Sequence, residues 1–166
     1  MHGAPLHTDL RHPASGGFQS LAGGSAVREL AVKYGFAART PAEAVQAALA
    51  GHQDAKQASQ AEQASPAEQA SGAEGFLSDL AHRVAVGVAS VCVVLDPGLV
   101  VLGGEVGRAG GTALADRVAA AVASIWPSRP RVVPTGVPGE PVLRGAMLAA
   151  VAQARAGLLA SVADPQ

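Results

Sequence analysis

Along the chain the apolar positions change period several times, and each change predicts an element. Val27, Leu30, Ala31 and Tyr34 recur at the 3.6-residue spacing of one helix face, with Ser25 placed as N-cap and Gly35 as a stop. Thr40-Pro41-Ala42-Glu43 has the form of a capping box with proline in the first turn, and it opens a second short helix to about residue 50 that presents Ala44, Val45, Ala48 and Leu49. From Phe76 onward, Leu77, Leu80, Ala81, Val84, Val88, Val91, Cys92 and Leu95 follow i, i+3, i+4, i+7 and predict a long helix. Its charged residues lie in the first half, so residues 86–95, apolar nearly all round, require burial. Leu99-Val100-Val101-Leu102, bounded by Asp96-Pro97-Gly98 and by Gly103-Gly104, reads as a buried strand. A glycine-rich turn over residues 103–111 then leads into a helix with the face Leu114, Val118, Ala121, Val122 and Ile125, ended by Pro127 and Pro130 with Trp126 covering its end. Residues 131–135 form a second strand candidate with Pro134 at its end or on an edge, and residues 143–162 a closing helix.

Two stretches lack this patterning. Residues 1–17 are rich in Gly, Pro and His without a period and read as a loop or tail. The five-residue spacing of His2, His7 and His12 fits neither a helix face nor a known ligand pair. Residues 58–75 are three near copies of an Ala-Ser-x-Ala-Glu-x hexad, a period that matches no helix face. Together with the residues just before them they are expected to form a spacer over 52–75, partly helical and interrupted at Pro66 and Gly72, with no site. The organisation expected is therefore a tail over 1–24, short helices over 25–51, the spacer over 52–75, and an α/β subdomain over 76–162.

Composition narrows the chemistry. Hydrophobic residues make up 49% of the chain but aromatics only 3%, so any core is built from small side chains. A formal net charge of −1 with no basic cluster gives no electrostatic footprint for nucleic acid. The single Cys92 sits inside an apolar run and reads as a small buried hydrophobe, in keeping with a reduced, cytoplasmic setting. The longest apolar run stops at Asp96-Pro97, short of the roughly 18 residues of a membrane span, and no signal peptide is visible, so no membrane is expected.

The order strand, glycine turn, helix is the outline of a phosphate-binding loop, because glycine admits a ligand to the bare backbone and the helix start offers free N–H groups. A P-loop is excluded, since Gly111-Thr112 has no lysine before it. A dinucleotide fingerprint fits poorly: the glycine spacing differs, and the next strand candidate ends without an acid. Val100-Val101-Leu102-Gly103-Gly104 instead resembles the adenosine motif of the sugar kinase, Hsp70 and actin superfamily. Taken with Phe76 to Leu80, Asp96-Pro97, Pro130 to Thr135 and Leu143-Arg144-Gly145-Ala146, it resembles the C-terminal part of ROK proteins (repressor, open reading frame, kinase). The resemblance covers about half the chain, from Phe76 on, and more weakly residues 16–30.

That resemblance implies an α/β fold: a partial ribonuclease H-like (actin-like ATPase) C-terminal half, helix-rich with about two core strands. It places Gly103, Gly104, Glu105 and Gly145 beside a nucleotide in an intact homologue, with Gly145-Ala146 packing closely on the Gly-Gly turn. Many ROK proteins carry a zinc segment just ahead of this region. Aligned on Gly16-Gly17-Phe18-Gln19, its cysteine positions here hold Leu10, His12 and Gly17 and its glutamate position holds Gln19, so no structural zinc or other metal is expected. Gln19 retains the capacity to hydrogen-bond a sugar hydroxyl, although local capping or solvent contact is the simpler role.

The family's catalytic aspartate and first phosphate loops have no counterpart here, and Asp79, Asp96, Asp116 and Asp164 are scattered. The reading is a C-terminal portion of a ROK transcriptional regulator, sensing a sugar or sugar phosphate in the intact protein, with no catalytic residues and no ATP bound in isolation. A fragment of a ROK sugar kinase and a ligand-free oligomerisation module are the alternatives. Uncovered apolar surface is expected to make the chain a homo-oligomer.

Overall fold

The computed structural model describes residues 17–60, 67–127, 129–139 and 141–163, and these form two compact units that meet in sequence at Thr135 and Gly136. The first unit runs α1 (Gly17–Ala22), α2 (Gly24–Lys33), α3 (Pro41–Gln60), α4 (Ala67–Leu95), β1 (Leu99–Leu102), α5 (Gly104–Ile125) and β2 (Arg131–Pro134). The second unit contains α6 (Pro141–Ala163). The chain is thus a helix-rich α/β protein with two strands among its described residues. β1 and β2 pair in parallel, Leu99 opposite Arg131 and Leu102 opposite Pro134. Parallel strands need a crossover, and α5 supplies it.

Three long helices carry the core, and α2 adds Val27, Leu30 and Ala31 to it. α4 lies against α3 and α5, and α3 also packs on α5. Their shared interior holds Val27, Val45, Phe76, Leu77, Leu80, Leu114, Val118 and Val122, each at most 2% exposed. With so few large side chains, alanine fills the rest: Ala44, Ala48, Ala73 and Ala85 are fully buried. Phe76 is the hub of the aromatic packing, its ring 5.7 Å from Phe36 and 6.5 Å, edge-on, from Tyr34.

Helix ends follow local chemistry, with shifts from the sequence expectation. The Oγ1 of Thr40 accepts the Glu43 N–H at 3.1 Å, while the Glu43 carboxylate accepts from the Arg39 N–H, one residue earlier than a reciprocal box requires. α2 begins at Gly24 rather than after Ser25, because α1 runs almost directly into it and the Gly23 N–H donates to the Gln19 carbonyl. Residues 17–22, expected within a tail, are helical. α4 stops where Asp96 takes the left-handed conformation, φ 40°, with Pro97 next.

The expected spacer is corrected most. α3 continues past residue 50 to Gln60, and α4 starts at Ala67 and runs through Gly72 without a break. Residues 61–66, which include Pro66, lie outside the described set. Alanine and glutamine are strong helix formers, and Ala73 enters the core, so this part of the repeat gains burial that its composition did not promise.

Two other expectations also change. Residues 86–95 were expected to be buried all round, yet only Ala89 and Cys92 among them are, and Val91, Val93, Val94 and Leu95 are exposed. α4 has one buried stripe, because α3 and α5 cover one side of it. In α6, the side chains from Val142 to Leu159 are exposed. Apolar residues are spread around that helix. By length and composition alone, Ser71–Leu95 and Pro141–Leu159 are each long and apolar enough to cross a membrane; 33% of the apolar window of the former is buried, on the stripe that enters the core of the first unit.

Candidate functional site

The junction of β1 and α5 is built by a change of backbone preference over three residues. β1 is apolar and β-branched at its centre, and alternation sends Val100 and Leu102 toward the core while Leu99 and Val101 remain about half exposed. Gly103 is extended (φ −101°, ψ −168°) and caps α5, and Gly104 opens the helix at φ 69°. The expected turn over 103–111 is a correction: residues 104–110 are already helical, and Gly111 alone breaks the helix, at φ 51° and ψ −148°, a region essentially reserved for glycine. The helical glycines have a packing reason. A Cβ on Gly107 would lie 2.6 Å from the Leu102 carbonyl carbon and oxygen, so the first turns of α5 sit directly on the end of β1.

Beside this junction runs an open groove of about 660 Å³. Its walls are Phe18 and Leu21 of α1, Val84, Gly87, Val88 and Val91 of α4, Val100 to Gly103 on the strand side, and Val106, Gly107 and Leu114 of α5. Ser90 supplies the one side-chain hydroxyl of this lining, and it donates to the Val86 carbonyl at 2.8 Å. No carboxylate, ammonium or guanidinium lines it. Such a wall offers shape and apolar contact, and no side chain positioned to take a proton or neutralise a phosphate.

The residues singled out from sequence fall in different places. Gly103 lines the groove, while Gly104 and Glu105 are exposed at the start of α5, with the Glu105 carboxylate in the first turn where the helix dipole favours it. A Cβ on Gly103 or Gly104 would meet nothing within 4 Å. Gly145 belongs to α6 in the second unit, and within that unit a Cβ there meets nothing within 4 Å. Gln19 is exposed on α1; its neighbours Phe18 and Leu21 line the groove and it does not. Leu10, His12, His2, His7 and Asp164 lie outside the described residues. Among the described residues no three His, Cys, Asp or Glu side chains are grouped as a metal site. His82 is an exposed helix residue whose Nδ1 lies 2.9 Å from the Ser78 carbonyl, and Trp126 is half-buried at the end of α5.

Two polar clusters escaped the sequence reading. In the first, the Arg117 guanidinium donates to Glu74 at 2.8 Å and lies 3.3 Å from Nε2 of His52, whose Nδ1 lies 3.1 Å from the same carboxylate oxygen. A proton on Nδ1 lets His52 donate to Glu74 and accept from Arg117, so α3, α4 and α5 are tied at one point. Separations of 43 and 65 residues hid this, and two of the three residues lie in the stretch read as a spacer.

In the second cluster, Asp79 accepts the Tyr34 hydroxyl at 2.8 Å and the Lys33 ammonium at 3.3 Å, joining α4 to the end of α2. Burial works to raise the Asp79 carboxyl, but hydrogen bonds from Tyr34 and Lys33 and the charges of Lys33 and Arg83 outweigh it and hold the group below the usual carboxylate range. Burial, then the bond to Asp79, raises the Tyr34 phenol; the Asp79 bond is the main cause that raises the Lys33 ammonium. A depressed carboxyl contributes stability that is present above its unfolded value of about 4 and is lost as pH falls through the folded value. Asp79→Asn is therefore expected to cost about 1 kcal/mol at pH 7, and the gap from wild type to narrow as pH falls below the unfolded carboxyl value of about 4. Urea unfolding across that pH range checks this; a gap that persists unchanged at low pH would show that the carboxylate charge is not what stabilises.

No protein-family model matches the chain, and neither does any curated protein or solved structure.

Proposed function

We propose that this chain is the C-terminal portion of a ROK-type transcriptional regulator, a cytoplasmic sugar-sensing module that performs no phosphoryl transfer by itself. The observation that carries the reading is the β1–Gly103–Gly104–α5 junction. An apolar strand closes in two glycines, enters a helix at positive φ, and sets Gly103 in the wall of a groove. In this reading β1, α5 and β2 correspond to the last two strands, with their crossover, of a ribonuclease H-like half. A sugar or sugar phosphate belongs to the intact protein, and neither ATP, zinc nor nucleic acid is bound by this segment alone.

The lining itself argues against catalysis, because it holds no acid to accept a proton from a sugar hydroxyl. One wall of a cleft leaves most of a nucleotide in water. Titration calorimetry with a non-hydrolysable ATP analogue and with glucose is accordingly expected to give no saturable heat, and micromolar affinity for either would overturn the reading. The genomic reading frame upstream of Met1 tests the family assignment directly. A winged helix-turn-helix supports it, a phosphate loop with an aspartate points to a sugar kinase, and an unrelated gene removes both. The apolar character of the groove favours the second reading, an oligomerisation module without a ligand.

A further inference from the structure

The backbone of β1 is paired on one side only. Arg131 N–H donates to the Gly98 carbonyl and Thr135 N–H to the Leu102 carbonyl, both at 3.0 Å. In a parallel ladder alternate residues turn both backbone groups to the same neighbour, so Gly98, Val100 and Leu102 are spent on β2. Leu99 and Val101 then turn their N–H and C=O groups to the opposite edge, and Gly103 its N–H alone, its carbonyl being taken by the first turn of α5; no strand pairs with this edge among the described residues. The groove lies along that edge: the consecutive residues Val100, Val101, Leu102 and Gly103 all line it, although their side chains alternate between the two faces of the strand.

A slot with apolar walls and one unpaired β-edge fits an extended apolar segment, because only a strand supplies backbone donors and acceptors at the 3.3 Å spacing of the edge. The edge is short, four residues, but its sequence does nothing to block pairing. Leu99-Val100-Val101-Leu102 has no charge, no proline and no bulge, whereas β2 begins with Arg131 and ends with Pro134.

We infer that the occupant is the β1 strand of a second copy of this chain, paired antiparallel across a two-fold axis at Val101. Val101 would exchange both backbone hydrogen bonds with its own copy, and the Leu99 carbonyl would accept from the Gly103 N–H of the second copy. Self-pairing of this kind satisfies both free edges at once and closes, so it yields a dimer and not a fibre. It joins two short sheets into one of four strands ordered β2-β1-β1-β2, which relieves the marginal stability of a two-stranded sheet.

The exposed area fits that occupant. Phe18, Val86, Val91 and Val101 line the groove and are 39–54% exposed; Val94, one turn beyond Val91, and Leu99, two residues before Val101, extend the patch at 80% and 53%. Together they offer roughly 500 Å² of apolar side chain, much of the ~800 Å² per partner that a standard interface buries. This inference does not rest on the sugar-sensing reading and stands if that reading fails; the two compete for one edge, which the other strands of a ribonuclease H-like half would otherwise take.

Sedimentation of the full chain from about 1 to 100 µM is the test. A monomer–dimer equilibrium is expected, with Val101→Lys weakening it at least tenfold while helical circular dichroism is retained, and Leu148→Lys on α6 leaving it unchanged. Because Cys92 is buried, Val101→Cys introduces the accessible thiol. Mild oxidation is expected to trap it as a covalent dimer and not to trap Leu148→Cys, which keeps the test decisive if the lysine variant unfolds. A monomer throughout, polymers without a dimer, a dimer indifferent to Val101→Lys, or trapping through residue 148 instead of 101 would each overturn the assignment.

Discussion

Phe76→Ala is expected to remove most of the chain's cooperative stability. Phe76 is completely buried at the junction of α4 with the loop after α2, and three of the five aromatic residues of the chain, Tyr34, Phe36 and Phe76, meet there. Truncating a buried phenylalanine costs about 3–5 kcal/mol, through lost transfer energy and the cavity left behind. Small domains hold only about 5–15 kcal/mol in total, and this core has little else of that size to close the gap: its neighbours are valine, leucine and alanine. The melting midpoint should fall by on the order of 10–20 °C. Val32→Ala serves as the control, because Val32 is 71% exposed on α2 and its truncation should stay within about 0.5 kcal/mol. Thermal and urea unfolding followed by far-ultraviolet circular dichroism check both. Equal effects of the two substitutions would show that the core is not organised around the Phe76 ring.

What was legible in the sequence follows the same division between strong local signals and long-range ones. Both strands were readable, since each is a short apolar run fenced by proline or glycine, and Leu77, Leu80, Leu114, Val118 and Val122 lie on the faces that periodicity assigned to them. The end of α4 at Asp96-Pro97 was equally plain. The repeat was misread because its helices are decided by helix propensity together with tertiary contacts of Ala73, Glu74 and His52, and no window of residues 52–75 contains the partners on α5. The turn after β1 was misread for the opposite reason. Glycines in a row suggest irregular backbone, yet Gly107 and Gly110 are helical, their missing side chains admitting the end of β1 and Leu114. Of the candidate site, sequence located Gly103 at a groove and missed that the groove is apolar, because that property belongs to residues of α1 and α4 brought from 12 or more positions away.

Gly107→Ala is the second large effect, and it separates packing from site at one short segment. A methyl group at Gly107 would overlap the carbonyl of Leu102, which is backbone and has no side-chain freedom to yield. Either β1 or the first turns of α5 must move, at a cost of about 1–3 kcal/mol. Because the Leu102 carbonyl also accepts the Thr135 N–H in the pairing with β2, the displacement is expected to loosen the ladder as well. Amide exchange at Val100, Leu102 and Val133 should accelerate roughly tenfold or more, while Leu77 and Leu80 in α4 stay protected. Gly103→Ala provides the contrast. It sits four residues earlier at φ −101° with open space around it, so alanine there should be neutral within about 0.5 kcal/mol. A glycine that packing does not demand is then free to be explained by what the groove admits, whereas Gly107 is explained by the strand beneath it. If both substitutions destabilise alike, Gly103 is a structural residue and the junction has no spare glycine facing the groove.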